Sequence, residues 1–224
     1  MRLGVLVSGR GSNLEAVLAA VADRTLAGVR PVIVISNRPG VRALDVARRH
    51  GVPALVLQRA DFGGAAEARD AAIGRALAAA GADVALLAGY DRLLHPSYFA
   101  AFRAPTINIH PSLLPRHGGR GMVGPAVHAA VLAAGDVETG VTIHGVTADL
   151  DAGPVIAQVR VPVLDGDSPE SLAERVLAVE HRLLVGTLAR LAGEGPGMAS
   201  ARMPAMVEAP AGAPATQKDT QPHA

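Results

Sequence analysis

The stretch Leu3-Gly4-Val5-Leu6-Val7-Ser8-Gly9-Arg10-Gly11-Ser12-Asn13-Leu14 decides the fold. An apolar run from Leu3 to Ser8 meets a turn built on Gly9 and Gly11, and apolar residues at helical spacing then run from Leu14 to Val21. Strand, glycine turn and helix in direct succession open a βαβ unit, whose crossover is right-handed. The alternation continues downstream. Strands are expected at Val32 to Ser36, Pro53 to Leu57, Asp83 to Ala88 and Thr106 to Ile109, and helices over Arg42 to His50 and Ala65 to Ala80. Gly51 and Gly81 stand where those helices should stop. Half of the residues are hydrophobic but only 2% are aromatic, so the core must be made of Val, Leu, Ile and Ala. That composition suits a parallel sheet covered on both faces. The expected class is α/β, with a doubly wound, mostly parallel sheet and helices on both faces.

Beyond Ile109 the pattern changes. A glycine-rich loop from Gly118 to Gly124 precedes a helix near Ala126 to Ala134 and strand-like runs at Val141 to Val146 and Val155 to Val163. The turn Asp151-Ala152-Gly153-Pro154 joins those runs, which predicts an antiparallel extension of the sheet in the C-terminal half. Ser168-Pro169 supplies an N-cap and a proline at the first helical position, opening a helix to about Leu191. From Gly193 onward Pro, Ala, Gly and Ser dominate without periodicity. One domain over residues 1–192 and a disordered tail over 193–224 are therefore expected.

The 21 basic and 20 acidic side chains leave a formal charge of +1, and Lys218 is the only lysine. No charge block suits nucleic acid. Absence of cysteine excludes disulfides, thiolate metal sites and a cysteine nucleophile. The first apolar run is too short for a signal-peptide core or a membrane span, so a cytoplasmic protein without a membrane partner is expected.

The turn from Ser8 to Asn13 presents free backbone N–H groups at a helix start, which suits a small phosphate or carboxylate. Leu14 occupies the third glycine position of a dinucleotide fingerprint, and no Gly-Lys-Ser/Thr run follows, so neither nucleotide-loop pattern applies. The alternative is a tight turn capped by Ser12 or Asn13. A second candidate lies at the end of the fifth strand. Asn108 and His110 are two apart and leave the same face, and Pro111 keeps His110 extended. Carboxyl ends of strands line the crevice of a doubly wound sheet, so this pair should face the side that holds the anion turn. Asp151 reads either as a turn residue bonded to its own backbone or as a carboxylate favouring the charged form of His110. His144 in the adjoining strand reads as structural or as facing the same cleft. His110, His117, His128, His144 and Asp151 have no recognised metal-ligand spacing, and no metal is expected. No Gly-x-Ser-x-Gly elbow supports a serine hydrolase.

Four motifs together resemble the glycinamide ribonucleotide formyltransferases over about residues 1–192. They are Ser8-Gly9-x-Gly11-Ser12-Asn13-Leu14, Leu87-Ala88-Gly89-Tyr90-x-Arg92-Leu93-Leu94, Asn108-Ile109-His110-Pro111-Ser112-Leu113-Leu114-Pro115 and Asp149-Leu150-Asp151-Ala152-Gly153-Pro154. The resemblance implies a Rossmann-like formyltransferase fold and 10-formyltetrahydrofolate as co-substrate, with no metal. It implies that Gly11, Ser12 and Asn13 hold the ribonucleotide phosphate, and that Leu177, Ala178, Val179 and Glu180 meet the glycinamide and ribose. Asp91, Arg92, Leu93 and Leu94, with Thr147, Ala148, Asp149, Leu150 and Asp151, would surround the pterin, and Asn108 would lie by the formyl group. Asn108, His110 and Asp151 would be catalytic. Asp91 departs from the family's apolar residue, and Gly63-Gly64-Ala65 lacks a basic residue common in relatives. The longer Gly118 to Gly124 loop is expected to be a mobile lid. The partners implied are the two small molecules, and the chain is expected to be a monomer or homodimer. Methionyl-tRNA formyltransferase and formyltetrahydrofolate hydrolase share the Asn108, His110 and Asp151 set. The first normally adds a basic carboxyl-terminal domain and the second an amino-terminal regulatory domain, and neither is expected here.

Overall fold

The computed structural model describes residues 1–194; the tail expected over 193–224 lies almost wholly outside the described residues. Seven strands form one sheet: β1 (Arg2–Val7), β2 (Arg30–Ser36), β3 (Ala54–Val56), β4 (Val84–Leu87), β5 (Thr106–His110), β6 (Glu138–Gly145) and β7 (Val155–Pro162). Their spatial order is β3-β2-β1-β4-β5-β6-β7. The first five strands are parallel, and β6 and β7 add antiparallel, as the change of pattern after Ile109 predicts. The helices are α1 (Ser12–Ala22), α2 (Arg42–Arg49), α3 (Ala66–Ala79), α4 (Pro96–Ala101), α5 (Pro125–Ala133) and α6 (Pro169–Glu194).

Alternation along β1 sorts the core. Leu3, Val5 and Val7 join a cluster with Leu14, Val17, Val46, Val131 and the α6 residues Leu172, Val176, Leu184 and Leu188. Leu6 points the other way, into a cluster with Ile73, Leu77, Leu94 and Tyr98 of α3, α4 and the segment before it. Period-2 side chains on a sheet with helices on both faces produce this division. A Cβ at Gly4 would overlap Leu77, so that glycine lets α3 lie close against β1. On α6, Ser168 Oγ accepts from the Ser171 N–H at 3.2 Å, with Pro169 as the first helical residue. The helix runs on to Glu194, beyond the expected end at Leu191.

Helix α4 and a 3-10 turn at Arg59–Phe62 have no counterpart in the sequence reading. Asp70 of α3 fixes the start of α4 from 25 residues away by accepting the His95 N–H at 2.8 Å. The His95 imidazole also accepts from Ser97 N at 3.2 Å. Because β1 adjoins β2 on one side and β4 on the other, the connections diverge at its carboxyl end and leave a crevice there.

Candidate active site

A cleft of about 770 Å³ occupies this crevice, within the size range of ligand pockets. Its first wall is the β1–α1 turn. Gly11 is the residue before α1, with φ 74°, and no side chain caps the helix. The alternative of a turn capped by Ser12 or Asn13 is thus not realised: both already lie within the helix. First-turn N–H groups have no acceptor within their own helix, which leaves them free to meet an anion. A Cβ on Gly11 would stand 2.7 Å from Ala43 Cβ and 2.8 Å from Ala43 Cα, so the turn and the start of α2 touch through this glycine. Gly11→Ala should cost about 1–3 kcal/mol, read as a lower urea midpoint at unchanged slope.

Asn13 instead reaches across to α6, where its Nδ2 donates to Glu180 Oε2 at 2.8 Å. Both side chains are buried, and Asn13 Oδ1 has no hydrogen-bond partner among the described residues. Burial pushes the Glu180 carboxyl up to about 7, against the opposing effect of the Asn13 bond. Of the α6 residues expected at the site, Leu177 and Glu180 line the cleft. Ala178 is exposed and Val179 packs into the core, so their side chains do not line the cleft. The helical period places Ala173 and Glu174 on the lining face instead.

The opposite wall comes from the ends of β4, β5 and β6. Asp91, Arg92, Leu93 and Leu94 all line it, as do Thr147, Asp149, Leu150 and Asp151, while Ala148 does not. The Asp91 carboxylate accepts from Asn37 Nδ2 at 3.0 Å and pairs with the Arg38 guanidinium. Its backbone N–H donates to Ser8 Oγ at 3.0 Å. Asp91 therefore joins the ends of β1, β2 and β4. Residues Gly119 to Gly124 of the glycine-rich loop line the remaining side.

Asn108 and His110 both line the cleft from β5, as their spacing predicts. The antiparallel register sets Asn108 opposite His144, and Asn108 Nδ2 lies 3.0 Å from His144 Nε2. His144 Nδ1 lies 2.8 Å from the Gly145 carbonyl. A carbonyl only accepts, so His144 carries its hydrogen on Nδ1 and accepts the Asn108 amide on Nε2. Burial lowers the His144 imidazole, a tendency the Gly145 bond and Asp151 oppose, and a neutral ring fits this pattern. His110 Nε2 in turn meets the His117 carbonyl at 2.9 Å.

Asp151 has φ 53°, and its Oδ2 accepts from the Gly119 N–H at 2.8 Å. Its Oδ1 stands 3.7 Å from His144 Nε2. The expected carboxylate–imidazole contact therefore forms with His144, and no hydrogen bond joins Asp151 to His110 among the described residues. His128 of α5 also lines the cleft, its Nδ1 buried without a hydrogen-bond partner among the described residues. Burial, and secondarily the charge of His110, lower its imidazole.

A family model described as formyl transferase matches residues 1–188. The chain belongs to the formyl transferase family. Membership places it among the formyltransferase enzymes. It is 43% identical over 195 residues to phosphoribosylglycinamide formyltransferase of Mycobacterium tuberculosis (strain ATCC 25618 / H37Rv), a match covering 87% of this chain and 86% of that protein. It is 40% identical over 192 residues to the trifunctional purine biosynthetic protein adenosine-3 of Drosophila melanogaster, covering 85% of this chain but only 14% of that longer protein. The crystal structure of glycinamide ribonucleotide transformylase 1 from Symbiobacterium toebii superposes with a TM-score of 0.80 at 40% identity, covering 87% of this chain and 88% of the other. No helix among the described residues is long and apolar enough to cross a membrane. Nor do three or more His, Asp or Glu side chains there group in a way that could hold a metal ion.

Proposed function

We propose that this formyltransferase moves the formyl group of 10-formyltetrahydrofolate to the primary amine of 5′-phosphoribosylglycinamide, a step of purine synthesis. One observation carries the reading: an uncapped helix start and a buried carboxylate share a single cleft with Asn108, His110 and Asp151. The names of the relatives of matching length agree with it. In this reading the phosphate meets the backbone of Gly11, Ser12 and Asn13. Glu180 and Leu177 meet the glycinamide and ribose, and the pterin lies among residues 91–94 and 147–151.

The neutral amine attacks the formyl carbon, forming a C–N bond as the carbonyl π electrons move to oxygen. Asn108 has two amide hydrogens, of which His144 takes one, so one stays available for that oxyanion. Protonated His110 supplies the second donor. Asp151, directly or through water, moves the proton from the attacking nitrogen to the folate nitrogen. The bond to that nitrogen then breaks and the carbonyl reforms, leaving formylglycinamide ribonucleotide and tetrahydrofolate.

Turnover of 10-formyltetrahydrofolate by the purified chain, with and without glycinamide ribonucleotide, tests the reading. Turnover that requires the ribonucleotide is expected. Formate release in its absence would favour a hydrolase, and no turnover under either condition would remove both readings.

A further inference from the structure

We propose that Asp136 is a positioning residue, which sets the ring orientation and tautomer of His110 through His117; the inference rests on the reading of His110 as catalytic. Asp136 lies in the connection between α5 and β6, and its side chain is only 7% exposed. It is not part of the cleft lining. Its Oδ2 lies 2.6 Å from His117 Nε2, and its Oδ1 accepts from the Arg116 guanidinium. The hydrogen bond from His117 holds the Asp136 carboxyl below its ordinary value, and the charge of Arg116 adds to the effect.

His117 has φ 52°, the left-handed region that a residue with a Cβ normally avoids. Such a backbone persists only where its surroundings hold it from several sides. Here the Asp136 carboxylate grips the His117 ring, and Ser112 Oγ donates to the Arg116 carbonyl at 2.7 Å. The result is a carbonyl turned toward the site: His117 O meets His110 Nε2 at 2.9 Å. Two residues on, the Gly119 N–H donates to Asp151 Oδ2 at 2.8 Å. Residues 116–119 thus carry a hydrogen-bond partner of each of two proposed catalytic groups, and Asp136 anchors them from outside the cleft.

The chemical consequence lies in the tautomer. A carbonyl cannot donate, so His110 Nε2 keeps its hydrogen whether the ring is neutral or charged. Nδ1 has no protein partner among the described residues and is the nitrogen left to donate to the formyl oxygen. Without the anchor, the His117 carbonyl is free to turn away, and both neutral tautomers become accessible.

The test uses the full chain carrying Asp136→Ala, Asp136→Asn or His117→Gly. His117→Gly keeps the left-handed backbone but removes the ring that Asp136 holds. In Asp136→Ala and His117→Gly, kcat should fall by about 10- to 100-fold, as misplacement of a reacting group does. KM for both substrates should stay within about threefold, because groundstate contacts are untouched. Asp136→Asn keeps an acceptor oxygen and should retain most of the activity. Nitrogen-15 NMR of ring-labelled histidine supplies a readout independent of turnover. Neutral His110 should be hydrogenated on Nε2 in the unmodified chain and mixed in Asp136→Ala and His117→Gly. That pattern supports the inference even if no variant transfers formyl groups, which would defeat only the substrate reading. An unchanged tautomer in His117→Gly, or in a folded Asp136→Ala, overturns it.

Discussion

His110→Ala lowers kcat for formyl transfer to glycinamide ribonucleotide by about 10²–10³-fold, the usual effect of removing one donor to a developing oxyanion. KM for both substrates should stay within about threefold, since the donor matters most once the carbonyl oxygen has become charged. His110 is buried at the end of β5, but its removal leaves the His117 carbonyl the longer contact from Ser112 Oγ at 3.5 Å, at the edge of a cleft that water can enter. The loss should therefore appear in turnover rather than in folding. Asn108→Ala is expected to cost a similar factor. The double variant should cost less than the product of the two, because both groups are proposed to act on the same oxygen. Steady-state kinetics on the two single variants and the double variant check all three statements. Full activity in His110→Ala would remove the imidazole from the mechanism and leave Asn108 as the donor to be examined.

The readings that held depend on local pattern. β-branched runs closed by glycines carry the parallel half of the sheet, and the two-residue spacing of Asn108 and His110 brings both side chains to one cleft. What the sequence reading left out depends on how separate segments meet in the fold. Helix α4 has six residues, too few for a periodicity, and Asp70 sets its start. The β5–β6 register brings Asn108 against His144 across 36 positions, and the fold-back of the β6–β7 connection then sets Asp151 beside the same imidazole. Asp136 carries no motif at all; only its position beside His117 gives it the positioning role proposed above. Ala178 and Val179 are a different case, since their side chains do not line the cleft. A contiguous run was read onto a helix, where one face alone can reach the cleft, and the period that places Leu177 and Glu180 inward was already legible.

Glu180→Gln should raise KM for glycinamide ribonucleotide by about 10- to 100-fold, the scale of a lost hydrogen bond to a charged group, with a smaller effect on KM for the folate. The same substitution should change how stability depends on pH. Burial lifts the Glu180 carboxyl from 4.5 to about 7 in the folded chain. Below 4.5 both states hold the proton, and the group imposes no penalty. Between 4.5 and about 7 the unfolded chain releases the proton while the folded chain retains it, so stability falls as pH rises. Above about 7 the penalty is complete, and the shift corresponds to about 3 kcal/mol at most. Glutamine cannot ionise, so the variant should lack this decline and be at least as stable as the unmodified chain at pH 8, while binding its substrate more weakly. Urea denaturation of both proteins at pH 5 and pH 8 measures the difference. Such a trade is expected where a carboxylate is kept in a poor environment for the sake of a ligand, whose amine would add to the one hydrogen bond that Asn13 supplies. If the stability curves of the two proteins run parallel from pH 5 to pH 8, the carboxyl titrates normally and the burial argument fails. An unchanged KM would instead separate Glu180 from the ribonucleotide and leave the cradle at Gly11, Ser12 and Asn13 as its proposed anchor.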